Sequence, residues 1–401
     1  MAAALRARRL DARAEIVIVE KSRYLAAATC SIPAFLRGDI SRIESLQNYT
    51  PLRAVEDFSL HVYTEHEAQQ IDCRNRQLRV ENRLTKQSFF IPYDRLILAT
   101  GAQPVRPDIP NNRSRGTFVI RSLSDASEFR NFLEREKPRT LVVVGTGTIA
   151  QVCASSFISY GLNVIFIAID KVLLENLDPL ISNRINKTLS ENGVQVYLSE
   201  KDLNIESSLE QRVRIVEFDG QKIECQAVLF AMGVRPNADL ALNSGIQSGI
   251  AGSIKVDRFL VTSRHGVYAC GDCAHTFLRI TNKPIYWPLA TTAARQGRQA
   301  GTNAAGRRGE DPGTLATHIW NCFDLTIGKT GIAPSQAASH GIKVKRIAVN
   351  SLSKPIQYGG VPLDLVIYYE TENHRVVGAQ IAGRDGVHAR LNALCAAIEC
   401  K

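Results

Sequence analysis

The strongest constraint on this chain is an apolar run that ends in glycine and opens into a helix-forming stretch. Leu141-Val-Val-Val144 is followed by Gly145-Thr-Gly147-Thr-Ile149-Ala150, with helical spacing from Thr148 to Tyr160. A buried strand, a tight turn and a helix, in that order, form half of a parallel strand–helix–strand unit. Val164-Ile-Phe-Ile167 supplies the returning strand. Gly145 makes the turn, Gly147 lets a ligand approach the backbone, and small Ala150 lets helix and strand close. The helix N-terminus favours negative charge, so the segment reads as a cradle for a dinucleotide pyrophosphate. Without a ligand it is a glycine-rich turn. An acid for the ribose 2′-hydroxyl belongs at the end of the returning strand. Ala168 stands there, with Asp170 and Lys171 beyond it, so NADH and NADPH both stay open.

Two further strand ends have related form. Arg95-Leu-Ile-Leu-Ala99 stops at Thr100-Gly101, and Gly266-Val-Tyr-Ala269 leads to Gly271-Asp272. The latter has the form of a segment that places a carboxylate on a flavin's ribityl chain, although Gly-Asp is also common in plain turns. Near the start, an Arg-rich helix runs into Ile16-Val-Ile-Val19, ending on Glu20-Lys21. An acid in that place suits an adenosine ribose. The strand and glycine loop expected ahead of this helix would lie upstream of Met1.

Between these points, residues 70–92 alternate apolar and polar as a meander, and Pro104, Pro107 and Pro110 mark a linker. A helix over 178–192 and strands near 195–199, 212–217 and 227–231 complete a separate α/β domain. After about residue 250 the chain returns to the first domain. From about 315 the texture changes again, with the hairpin Val366-Ile-Tyr-Tyr369 / Val376-Val-Gly-Ala379.

At 401 residues and 45% hydrophobic, the chain can bury the cores of two or three domains. No run of ~18 apolar residues lacks charge, so no membrane span is expected. Residues 1–10 have the Arg- and Ala-rich look of a transit peptide, but fit better as the opening helix of the fold. The net charge of +10 comes with scattered arginines and no basic run interleaved with aromatics, which argues against nucleic acid. A basic surface suits phosphate-rich ligands. Nine cysteines, an odd count without a signal peptide, point to a reducing cytoplasm. No metal site is expected. Cys270 and Cys273 form a C-x-x-C, but the Gly-Asp between them has its own role.

Read together, these segments resemble the pyridine nucleotide-disulfide oxidoreductase superfamily, and within it the single-cysteine branch of coenzyme A-disulfide reductases, NADH oxidases and peroxidases, and persulfide reductases. The resemblance spans essentially the whole chain. It rests on Arg8-Arg9-Leu-Asp11, Tyr93-Asp-Arg-Leu-Ile-Leu-Ala-Thr-Gly101, Gly233-Val-Arg-Pro-Asn237, Val267-Tyr-Ala-Cys-Gly-Asp272, Pro288-Leu-Ala-Thr-Thr292 with Arg295-Gln-Gly297, and Phe323-Asp-Leu-Thr326 with Thr330-Gly331.

The resemblance implies an α/β fold with two Rossmann-like domains and a C-terminal α+β dimerisation domain. FAD would occupy residues 1–112 with 250–314, NAD(P)H residues 113–249, and the dimerisation domain 315–401. It implies FAD contacts at Glu20, Lys21, Thr100, Gly101, Gly271, Asp272, Leu289 and Ala290. It implies NAD(P)H contacts at Gly145, Gly147, Ile149, Ala150 and Gly233. Cys30, in Ala28-Thr-Cys30-Ser-Ile-Pro33, falls where the family carries its redox cysteine; outside that frame it reads as an inert thiol. The next cysteine is Cys73, so an intramolecular dithiol is not expected, and Cys30 would cycle through a mixed disulfide with coenzyme A, a persulfide or a sulfenic acid. Arg9 stands where a coenzyme A phosphate would be held, or is a solvated helix arginine. Tyr358 lies near a loop of the family that reaches a partner's active site, where it could protonate a leaving thiolate.

Some positions depart from the pattern. Ala26-Ala27 and Thr29 replace a Ser-Phe pair and an Asn ahead of the cysteine. Thr148 replaces a gating tyrosine, and Val152 a glutamate. The family's last segment would lie beyond Lys401. The expectation is a homodimeric FAD- and NAD(P)H-dependent reductase of a small thiol's disulfide or persulfide, most naturally coenzyme A. Its rivals are an NADH oxidase or peroxidase working through a sulfenic acid, and a catalytically dead nucleotide-binding remnant.

Overall fold

The computed structural model describes residues 1–169, 177–199 and 203–400. They form two compact units. One comprises Met1–Ile32, Arg42–Gln103 and Val234–Thr314; the other comprises Pro33–Ser41, Pro104–Gly233 and Leu315–Lys401.

The second unit is built on a parallel five-stranded sheet. Its strand order is Gln195–Ser199, Asn163–Ile169, Thr140–Val144, Ala227–Phe230 and Thr117–Phe118. Leu141, Val142, Val143 and Val144 have no exposed surface, and Ala227 to Phe230 are all buried. Unbroken apolar runs, rather than alternating ones, are what a parallel sheet covered on both faces requires. The helices Leu123–Glu136, Thr148–Ser159 and Pro179–Glu191 belong to this unit. A capping box of Ser122 and Asp125 starts the first of them, and Asp178 caps the third.

Two strands that the sequence pattern did not single out, Asn204–Ser207 and Gln221–Glu224, flank Val213–Phe218 in an antiparallel sheet. Ile205, Val213, Val216 and Phe218 join the parallel sheet's core cluster. The same unit carries a five-stranded sheet ordered His318–Cys322, Leu325–Gly331, Val376–Gly383, Pro362–Glu370 and Val344–Leu352. Helix Val387–Cys400 packs on it through Val387 and Leu391, against Leu363 and Ile381.

The first unit holds two parallel strand pairs, Val17–Glu20 with His61–Thr64 and Leu96–Leu98 with Val267–Ala269. The meander His66–Asp72, Gln77–Asn82 and Ser88–Pro92 matches the alternation seen in the sequence. Helices Ala2–Leu10 and Ala290–Ala304 cross at very close range. A Cβ at Gly301 would stand 2.3 Å from the Ala3 carbonyl oxygen, and one at Gly297 would stand 3.1 Å from the Ala2 Cβ. Two glycines one turn apart are therefore what allows the first helix to seat.

Candidate active site

The strand Thr140–Val144 delivers Gly145 at its C-terminal end, with parallel neighbours on both sides. Gly145 has φ +103°, and an added Cβ would lie 2.5 Å from the Ala231 carbonyl oxygen, so only glycine fits. Its N–H donates to the Ile167 carbonyl at 2.8 Å, tying the turn to the returning strand. Gly147 caps helix Thr148–Ser159 without any side-chain cap, and the Gln151 N–H makes a 3.2 Å bond to the Gly147 carbonyl. Among the described residues, no acceptor meets the amides of Gly147, Thr148 and Ile149. Free amides at a helix N-terminus fit a pyrophosphate. Ala150 is fully buried, closing helix against strand, whereas Ile149 is exposed beside the open amides. Gly233, at φ +88°, follows the neighbouring strand and faces open space. Ala168 is buried in the sheet and offers no ribose contact. Asp170 and Lys171 lie outside the described residues.

The first unit brings its own set of groups together. Burial pushes the Met1 amine below its ordinary value, while Cys270 and Glu20 pull it upward. Glu20 ends its strand, and its Oε1 accepts the Ser22 N–H at 2.9 Å. Lys21 is exposed beside it. Gly271, at φ +76°, lies against the first turn of helix Ala290–Ala304, where an added Cβ would be 3.3 Å from the Ala293 Cβ. That helix starts at Leu289 without a side-chain cap, as does helix Ala2–Leu10 at Met1. The open helix N-terminus at Leu289, the acid at a strand end and the Gly271-Asp272 turn fit a second dinucleotide. Thr100 donates its hydroxyl to the Asn237 carbonyl at 2.6 Å; Asn237 returns bonds to Thr100 and Gly101. Gly101 needs its glycine for φ +71°.

Cys30 sits in a one-turn helix, Thr29–Ser31, and is exposed. The preceding segment is pinned by Ala28 N–H to the Leu46 carbonyl, 2.7 Å, and by Asn48 N–H to the Ala26 carbonyl, 3.1 Å. Cys30 is the exposed thiol of its unit. Cys73 is half-buried, and Cys270 and Cys273 are buried. Burial pushes the Cys270 thiol up to about 12 and raises Cys273 as well, so neither is a thiolate at neutral pH. Arg9 is exposed in the last turn of its helix, with no hydrogen bond among the described residues. Its neighbour Arg8 is instead tied to the Phe58, Ser59 and Ala12 carbonyls. Tyr358 is 76% exposed on the turn Ile356–Tyr358, in the second unit.

Supporting residues hold the turn: Arg295 and Gln296 from the Arg295-Gln-Gly297 motif, and Asp311, which carried no signal of its own. Gln296 accepts the Gly271 N–H at 2.8 Å. Its amide donates to the His275 carbonyl and to Asp311, which is fully buried and also takes Arg295 at 2.9 Å. A buried carboxylate with an arginine, the Gln296 amide and the Thr276 hydroxyl as donors holds the Gly271-Asp272 turn in place. Nothing about an isolated Asp in the sequence distinguishes it from a surface acid.

A family model described as pyridine nucleotide-disulphide oxidoreductase matches residues 1–297. The chain belongs to that family. It is 32% identical over 387 residues to the NAD(P)H sulfur oxidoreductase (CoA-dependent) of Pyrococcus furiosus, covering 96% of this chain and 86% of that one. It is 30% identical over 386 residues to an NADH oxidase of Methanocaldococcus jannaschii, covering 96% and 85%. The solved structure of an NAD-dependent persulfide reductase from A. fulgidus superposes with a TM-score of 0.94 at 29% identity, covering 100% of this chain and 74% of that one. The α/β architecture with Rossmann-type units, expected from the sequence, is thereby established.

Proposed function

We propose that this FAD-dependent oxidoreductase uses NAD(P)H to reduce a disulfide or persulfide of coenzyme A, with Cys30 as its single redox thiol. The observation that carries this reading is the exposure of Cys30 on a pinned one-turn helix, while the other cysteines of its unit are partly or fully buried. The likeness to a relative named as a CoA-dependent sulfur oxidoreductase supports the choice of acceptor. FAD would be held by Glu20, Lys21, Thr100, Gly101, Gly271, Asp272, Leu289 and Ala290. NAD(P)H would be held by Gly145, Gly147, Ile149, Ala150 and Gly233. The domain assignment follows: residues 1–112 with 250–314 for FAD, 113–249 for NAD(P)H and 315–401 for dimerisation.

The cofactor, when bound, supplies two electrons taken as hydride from the nicotinamide. The protein supplies the sulfur. The Cys30 thiolate attacks one sulfur of the coenzyme A disulfide, forming a mixed disulfide and releasing one coenzyme A thiolate. Tyr358 gives that thiolate its proton. Two electrons then break the mixed disulfide, returning Cys30 as thiolate and the second coenzyme A as thiol after one protonation. Arg9, on the exposed end of its helix, holds a coenzyme A phosphate.

The partner is a second copy of the chain. The edge strand Val344–Leu352 is exposed along nearly its whole length, with Ile347 and Val349 presenting apolar side chains. No helix among the described residues is long and apolar enough to cross a membrane. The free state of all nine cysteines suits a reducing cytoplasm.

The test is NAD(P)H consumption by the FAD-loaded protein with coenzyme A disulfide, comparing wild type and Cys30→Ser. Release of coenzyme A by wild type, and its loss in the variant, supports the assignment; unchanged turnover in Cys30→Ser sinks it. The likeness to a relative named NADH oxidase favours one second reading, in which Cys30 forms a sulfenic acid and oxygen or peroxide is the acceptor. Dimedone labelling of Cys30 after peroxide, without coenzyme A turnover, would select that reading.

A further inference from the structure

Helix Thr148–Ser159 turns a polar amide side chain fully inward near its N-terminus. Gln151 has no exposed surface. Its Nε2–H donates to the Thr146 carbonyl at 2.9 Å, and its Oε1 accepts the Trp320 indole N–H at 2.8 Å. Trp320 is itself buried, on the strand His318–Cys322 of the same unit. A buried amide is costly unless both ends are bonded, and here each end has a partner at ordinary distance. An apolar side chain would fill the same space without that risk, so the polar chain calls for a reason beyond packing.

We propose that Gln151 and Trp320 are positioning residues for the dinucleotide pyrophosphate, acting through the peptide that joins Thr146 to Gly147. In a planar trans peptide the carbonyl and the following N–H point in opposite directions. Gln151 holds the Thr146 carbonyl toward the helix interior, which aims the Gly147 N–H to the open side of the turn. That N–H has no acceptor among the described residues. An indole N–H only donates, so Trp320 obliges Oε1 to face it and leaves Nε2 for Thr146. His318 lies against the indole, ring centroids 4.8 Å apart. Burial pushes the His318 ring down to about 4, so it is neutral at pH 7 and adds no competing charge. The glycine turn supplies a conformation that accepts a phosphate; the Gln151–Trp320 pair selects the peptide orientation that donates to it.

The inference rests on the reading of residues 145–150 as the NAD(P)H loop. Its test is isothermal titration of the FAD-loaded enzyme with NADPH, NADH and ADP-ribose, which keeps the pyrophosphate and lacks the nicotinamide. Wild type is compared with Trp320→Phe, which keeps a ring and loses the donor, and with Gln151→Met. The dissociation constant should rise about tenfold in each variant, the worth of one hydrogen bond to a charged group, and no further in the double variant. KM for the nucleotide should carry the loss, with kcat at saturation unchanged, while the melting temperature of Trp320→Phe falls modestly because the buried Gln151 oxygen loses its donor. Wild-type affinity in Trp320→Phe overturns the inference and leaves the dinucleotide reading standing. A wild type that binds none of the three ligands overturns both. Should Gln151→Met fail to fold, Trp320→Phe alone decides.

Discussion

Two glycines on the same turn show how differently residues carry information. Gly145 was legible in the sequence because its φ of +103° and the Ala231 carbonyl 2.5 Å from any Cβ leave no other residue possible. Gly145→Ala is therefore expected to cost about 1–3 kcal/mol from backbone conformation alone, with the steric contact adding to it, and to abolish nucleotide binding. Chemical denaturation and nucleotide titration check both; full affinity in this variant would mean that the turn does not approach the ligand. Gly147 is different. A Cβ there would meet the Ala231 oxygen at 3.6 Å, an ordinary contact. Its glycine is not demanded by the protein, which leaves close approach of a ligand as the reason for it. Gln151 was invisible for the opposite cause: at its helical spacing, a buried position reads as core, and only the structure shows both ends of its amide engaged.

At the scale of elements, an acid at the start of the third helix of the parallel sheet gathers partners from the C-terminal sheet. Asp178 caps Pro179–Glu191 through the Leu180 N–H, takes two bonds from Arg346 at 2.6 and 2.7 Å, and accepts the Tyr368 hydroxyl at 2.9 Å. Its own N–H donates to Gln380 at 2.7 Å, so every strand from 344 to 383 contributes a partner. Burial alone would raise this carboxyl, but Arg346, the Leu180 amide and Tyr368 outweigh it and hold it below the usual carboxylate range. Asp178→Asn keeps a capping oxygen and loses the ion pair. With half of Arg346 in solvent, the expected cost is about 1–3 kcal/mol. The sign with pH follows from the lowered carboxyl. Stability from Asp178 is complete above the unfolded value of about 4 and is lost as pH falls through the lower folded one. The variant should therefore show a shallower acid limb in its stability–pH profile. Parallel profiles for variant and wild type would mean that Asp178 does not carry this linkage.

For the molecule as a whole, the C-terminal sheet leaves one edge unused. Its last strand in space, Val344–Leu352, pairs on one side only, and its exposed apolar residues Ile347 and Val349 are 48% and 43% accessible. A nine-residue edge with apolar side chains invites a partner. A double variant, Ile347→Lys with Val349→Lys, is expected to shift the sedimentation of the protein from two copies to one without unfolding either. Wild type sedimenting as one copy would remove the second chain from the proposed function, and Tyr358 from the role of proton donor.

The sequence by itself determined the α/β class, the turn at Gly145 to Ala150, the strand ends at Glu20, Gly101 and Gly271, and the family. Each is written in local constraints: apolar runs that only a covered parallel sheet can bury, and glycines that only a positive φ or a close approach can explain. The tertiary structure alone decided which thiol is accessible, which acid is locked and which amide is aimed. Exposure and hydrogen-bond partnership depend on residues far apart in the chain. Asp311 meets Arg295 and Gln296, Asp178 meets Arg346, and Gln151 meets Trp320, 169 positions away. No local pattern encodes those meetings, because the choice of partner is made by packing.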